Sequence, residues 1–120
     1  MGYYTNFDLT MIPEPDEERE AEIMKAIAAK IDNKDPNDIS AYDAEWCLSD
    51  SLKWYDHDDD MIEVSKQFPD ITFILYGEGE DNDDIWKAYY RNGEMEVVTA
   101  RIIFDEPKNP IFLDWKETAE

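Results

Sequence analysis

The stretch KWYDHDDDMIEVSKQFPDITFILYGEGEDNDDIWKAYYRNGEMEVVTARIIF, residues 53–104, decides the fold. Asp56 to Asp60 precede Met61, Ile62, Val64 and Phe68, whose spacing fits a short amphipathic helix that stops before Pro69. Carboxylates at a helix start accept orphan backbone N–H groups and favour the positive end of the dipole, so capping is the role expected of these acids. Ile71-Thr72-Phe73-Ile74-Leu75-Tyr76 is largely apolar on both alternating faces and predicts a strand near the middle of a sheet. Gly77 to Asp84 is polar and predicts a loop leading into a strand over Ile85 to Tyr90. Asn92-Gly93 tolerates positive φ at both turn centres, so Met95 to Phe104 should pair back as a hairpin and complete a three-stranded antiparallel meander.

Upstream of this stretch, Tyr3, Thr5, Phe7, Leu9 and Met11 alternate with a more polar set, the period of a strand with its odd residues inward. Pro13 and Pro15 end it. Asp16-Glu17-Glu18 then open a helix with Ile23, Met24, Ile27, Ala28 and Ile31 on one side and Lys25, Lys30 and Lys34 towards its end, as the dipole prefers. Asp32 to Ser40 is a polar connection broken at Asp35-Pro36. Ala41 to Leu48 suits either a short helix or a strand, with an irregular or short helical piece preferred, and Ser51 to Tyr55 reads as a short strand. The expected architecture is α+β: an antiparallel sheet of about five strands with two helices packed on one face. Residues 1–104 form the expected single domain, and 105–120 a C-terminal extension whose apolar segment, 111–115, includes Phe112 and Trp115 and should fold back on the domain, the alternative being a partner-binding segment.

With 31 acidic residues against 11 basic ones the formal charge is −20. The first 60 residues hold 17 acids and 5 bases and the remainder 14 and 6, so the excess is no appended tail. Such a field repels nucleic acid and anionic membranes and attracts basic partners; solubility alone would also explain it. A hydrophobic content of 42% supplies a packed interior and argues against disorder. The apolar helix faces and strands predict a domain that folds without metal. One cysteine, Cys47, excludes an internal disulfide and fits a reducing compartment. Neither a signal peptide nor a long apolar span is evident, so a cytoplasmic location is expected, with no membrane partner.

No catalytic constellation stands out. His57 is the only histidine, with Cys47 and Asp56 the only hints of partners, and it reads better as part of a helix-capping turn. Asp56, Asp58 and Asp60 resemble the opening of an EF-hand loop, but Met61 replaces the glycine that turn requires and Gln67 the closing bidentate Glu. The four glycines, Gly2, Gly77, Gly79 and Gly93, make no nucleotide-binding pattern. No catalytic residue, metal ligand or cofactor is therefore assigned.

Met1-Gly2-Tyr3-Tyr4-Thr5, Lys53-Trp54-Tyr55-Asp56-His57, Asp60-Met61, Gly77-Glu78-Gly79-Glu80, Trp86 and Asn92-Gly93 resemble a family of small uncharacterised phage and prophage proteins, over most of the chain. More distantly, Lys53-Trp54, the run Lys66 to Phe73, Tyr76, Glu78 and Tyr90 to Gly93 are similar to phage and plasmid proteins with a ferredoxin-like domain. Those carry Ser-Pro-Pro after the Trp, where this chain has Tyr55-Asp56-His57. The resemblance implies a phage-type accessory protein with a ferredoxin-like α+β fold, and it supplies no catalytic residues.

Two function classes follow. The first is a non-enzymatic acidic protein that binds the basic surface of a host protein, as a DNA-mimicking inhibitor of defence or nucleic-acid-handling machinery would. Its expected contacts are Asp56, Asp58, Asp59, Asp60, Glu78, Glu80, Asp81, Asp83 and Asp84. The second is a small metal-dependent hydrolase using carboxylates of Glu78 to Asp84. The two acidic runs flank the strand Ile71 to Tyr76, an order that suggests separate patches at different ends of the sheet.

Overall fold

The computed structural model describes residues 3–81, 83–101 and 103–111. Their elements run β1 (Thr5–Ile12), α1 (Glu17–Asp32), a 3-10 turn (Pro36–Asp38), α2 (Ala41–Glu45), α3 (His57–Gln67), β2 (Thr72–Gly79), β3 (Ile85–Arg91) and β4 (Glu94–Thr99). The four strands form one antiparallel sheet in the order β1-β2-β3-β4. The α+β class and the meander are as the sequence suggests. Among the described residues the strand count is four rather than five, and this sequential strand order does not confirm the ferredoxin-like arrangement.

The lost strand is Ser51 to Tyr55. Leu52 alone bridges to Thr5, exchanging both backbone hydrogen bonds at 2.9 Å, before Trp54 turns its indole into the core and takes the chain away from the sheet edge. At its other end β2 runs further than expected, through Gly79. Gly77 pairs with both Phe7 and Trp86, and the space where its side chain would stand is filled by the Trp86 indole. β4 stops earlier than expected, at Thr99. The N–H of Ala100 donates to the carbonyl of Ile85, the first residue of β3, and past that point no partner strand is found among the described residues; Ile103, Phe104 and Ile111 are exposed. The segment 112–115, with Phe112 and Trp115, lies outside the described residues.

Odd residues of β1 do point inward, and Phe7 joins Phe73, Leu75, Ala88 and Tyr90 on a single face of the sheet. Against that face pack Ile23 and Ile27 of α1 with Met61 and Val64 of α3, so both long helices cover the same side. α1 begins where Asp16 accepts the N–H of Arg19 and ends at Asn33, whose left-handed φ of 55° closes the helix. The Arg19 guanidinium grips Asp70 through two hydrogen bonds of 2.6 and 2.7 Å, tying the start of α1 to the turn before β2 and holding the Asp70 carboxyl below its ordinary pKa. Asn92 and Gly93 both have positive φ, 47° and 83°, as the Asn-Gly hairpin requires, and the N–H of Gly93 donates to Ser65 Oγ of α3. α3 thus lies antiparallel to β2, its C-terminal end at the β3–β4 turn. No helix among the described residues is long and apolar enough to cross a membrane.

Because the Trp86 indole occupies the space over Gly77, Gly77→Ala should force that ring out of its place and destabilise the domain by about 1–3 kcal/mol, the usual range for overpacking. Urea unfolding followed by tryptophan fluorescence measures this; an unchanged midpoint would show that the ring moves aside at no cost.

Candidate functional site

Nine carboxylates were expected to form a contact surface, and the fold divides them. Asp56 is the N-cap of α3, yet its side chain makes no capping hydrogen bond, which corrects the expectation that this run chiefly caps the helix. The acids of the first turn instead hold aromatic side chains. Asp58 Oδ1 accepts from the Tyr90 hydroxyl at 2.6 Å and lies 2.9 Å from His57 Nδ1, while Asp60 Oδ2 accepts from Trp54 Nε1 at 2.7 Å. Tyr90 and Trp54 are buried, and their polar atoms need partners that α3 alone supplies. Burial, and then the hydrogen bond to Asp58, raise the Tyr90 phenol far above the ordinary tyrosine pKa.

His57 stacks on Trp86 with ring centroids 4.8 Å apart and planes 19° from parallel, and Phe7 and Trp54 approach it edge-on or tilted. Its neighbours are aromatic rings and Asp58. Cys47 packs against the cluster of Ala28, Ala29, Ile39 and Ala44 and against the main core, is not among those neighbours of the His57 ring, and burial pushes its thiol up to about 11. The structure therefore does not bring Cys47 and His57 together as a nucleophile and base.

The second acidic run is organised by Tyr3 and Tyr4. The Tyr3 hydroxyl donates to Asp84 Oδ2 at 2.7 Å and accepts from the Asp81 N–H at 3.1 Å, and the Asp84 bond holds the phenol above its ordinary pKa. The N–H of Tyr4 donates to Glu80 Oε2 at 3.1 Å. Gly79 donates its N–H to the Asp84 carbonyl, and a Cβ there would collide with the Asp84 carboxylate and the Tyr3 hydroxyl, so this loop needs glycine for close approach.

Tyr3 also donates its own N–H to the Tyr55 hydroxyl at 2.7 Å. One residue thus spans from the segment entering α3 to the β2–β3 loop. Together with the His57–Trp86 stack, this puts the two acidic runs at the same end of the sheet, where the chain order had suggested opposite ends. Asp58, Asp60 and Asp84 are partly buried; Asp56, Asp59, Glu78, Glu80, Asp81 and Asp83 are exposed. Among the described residues no three His, Cys, Asp or Glu side chains are grouped so as to hold a metal ion.

Comparison with protein-family models, with curated proteins and with solved structures gives no match in any of the three. The chemistry of the site rests on its own residues. The roles of Tyr3, Tyr4 and Tyr90 went unread in the sequence, because a tyrosine in a strand signals burial and says nothing of which carboxylate its hydroxyl will meet.

Removing the Asp58 acceptor should leave the Tyr90 hydroxyl buried and unpaired, so Asp58→Ala should cost about 1–3 kcal/mol of stability, and Asp59→Ala about 0.5 kcal/mol or less. Equilibrium urea denaturation of the two variants decides it: equal losses would mean that Asp58 is one more surface acid.

Proposed function

We propose that this chain is a non-enzymatic, acidic accessory protein of the phage type that acts in the host cytoplasm by occupying a basic surface of a host protein. The observation that carries this reading is the convergence of both acidic runs at one end of the sheet, with Asp56, Asp59, Glu78, Glu80, Asp81 and Asp83 exposed there. A groove that binds DNA is built to meet charges spaced along a stiff rod, one for each ~1.7 Å of duplex axis, so a competitor needs several carboxylates on a fixed frame. Here the frame is the sheet end, and Asp58, Asp60 and Asp84 are spent on holding it.

The net charge of −20 adds long-range steering towards a basic partner and suppresses encounters with nucleic acid itself. Inhibition of a defence or nucleic-acid-handling protein is the activity that fits such a surface, and the likeness of Lys53 to His57 and Gly77 to Glu80 to phage and prophage proteins points the same way. The hydrolase alternative draws no such support, since the carboxylates of Glu78 to Asp84 are engaged by tyrosines or face outward and are not gathered round one point.

Affinity capture from host lysate followed by mass spectrometry is the first test, expected to recover a basic protein at low salt and to lose it near ~0.5 M salt, where screening is nearly complete. Converting the six exposed acids to Asn and Gln should weaken that complex by about tenfold or more while leaving the melting temperature unchanged. A complex insensitive both to salt and to the six substitutions would overturn the electrostatic reading.

A further inference from the structure

A second surface runs along the free edge of β1, leading from Thr5 away from the acidic end. Thr5 spends its N–H and C=O on Leu52, outside the sheet, so its pairing with Gly79 is a non-hydrogen-bonded one. By alternation the N–H and C=O groups of Phe7, Leu9 and Met11 also point out of the sheet, and no backbone or side-chain partner meets them among the described residues. Leu52 shows what this edge accepts: one residue of added strand, after which the chain leaves.

Beyond Leu52 the edge opens into a groove of about 710 Å³ between β1, the first half of α1, and α2 with the residues that follow it. That volume lies within the roughly 300–1,000 Å³ typical of ligand sites. Its apolar lining comes from Leu9, Met11, Met24, Trp46 and Leu48, with Trp46 exposed. Asp8, Glu17, Glu20 and Glu45 also line it, and no Lys or Arg does.

We infer that the β1 edge is a binding site for an extended basic peptide segment, which adds as a fifth strand beside Phe7 to Met11, sets alternate apolar side chains into the groove and presents Lys or Arg to Asp8, Glu17, Glu20 and Glu45. The edge supplies the backbone hydrogen bonds of strand addition, and the groove supplies side-chain selectivity. Charge selects the occupant. A second copy of this chain would set the same carboxylates against each other, and the chain's own residues 105–120 carry five acids and two bases, the same sign as the groove. This site is independent of the acidic end and stands or falls separately from it.

The probe is a fluorescein-labelled seven-residue peptide of alternating lysine and leucine or valine, titrated against the full chain. Alongside it go the same peptide N-methylated at alternate backbone nitrogens and an analogue with glutamate for lysine. The expected result is binding of the first peptide alone, with amide exchange at Phe7, Leu9 and Met11 slowed about tenfold or more on its addition. Glu17→Gln, Glu20→Gln and Glu45→Gln combined should weaken it about tenfold, while substitution of the six exposed acids at the sheet end should not. Equal binding of the N-methylated peptide would reduce the effect to general attraction by an acidic protein and overturn the proposal. So would protection of those three amides in the free chain, whether independent of concentration, which would make the occupant the chain itself, or rising with it, which would make it a second copy.

Discussion

The hydrogen bond from the Tyr90 hydroxyl to Asp58 is the constraint on which the rest of the arrangement depends. Tyr90 stands in the deepest part of the core, and a phenol there without an acceptor would forfeit about 1–3 kcal/mol. Only the first turn of α3 brings an acceptor within reach. That requirement, with the matching bond from Trp54 to Asp60, fixes where α3 begins over the sheet. It also explains why a helix with three acids in its first turn dispenses with a side-chain cap: those acids still favour the positive end of the dipole, but two of them face inward, to aromatic donors.

A layer of rings follows from that placement. Phe7, Gly77 and Trp86 lie side by side across β1, β2 and β3, and the absent side chain at Gly77 gives the Trp86 indole its seat. The indole in turn presents a face on which His57 stacks, so the one histidine of the chain is committed to packing at the start of α3. From the opposite side Tyr3 links Tyr55 to Asp84, and the end of the sheet is closed by aromatic residues, of which Tyr3, Trp54, His57 and Tyr90 each meet a carboxylate. Acidity and rigidity at this end therefore come from the same two runs: Asp58, Asp60 and Asp84 hold the aromatic framework, and the other six carboxylates stand exposed upon it.

Much of this fold was legible because it rests on local rules. The alternation of Tyr3 to Met11, the apolar spacing of Met61 to Phe68 and the Asn92-Gly93 turn each specify an element with little help from distant residues, and each is found. What was not legible depends on partners far along the chain. Ser51 to Tyr55 has the composition of a strand, yet only Leu52 pairs, because Trp54 gains more from burial and from Asp60 than the strand would gain from a longer edge. Gly77 to Gly79 reads as loop by composition and is strand in fact, since the neighbours at Phe7 and Trp86 need a residue with no side chain there. The acidic site was visible as a set of residues but not as an arrangement. Nothing in the spacing of Asp56 to Asp60 and Glu78 to Asp84 tells that Tyr3 draws them to one end, or that three of them are withdrawn from solvent.

A preorganised anionic end is the central claim, and native-state amide exchange at Gly79, Asp81 and Asp84 of the free protein tests it most directly. All three N–H groups have acceptors: the Asp84 carbonyl, the Tyr3 hydroxyl and the Asp81 carbonyl respectively. Slowed exchange at all three, with Asp81 alone released in Tyr3→Phe, is the predicted result. Exchange at all three positions at the rate of an unstructured peptide would contradict it, and would make the β2–β3 acids a loose charged loop with no fixed surface to offer.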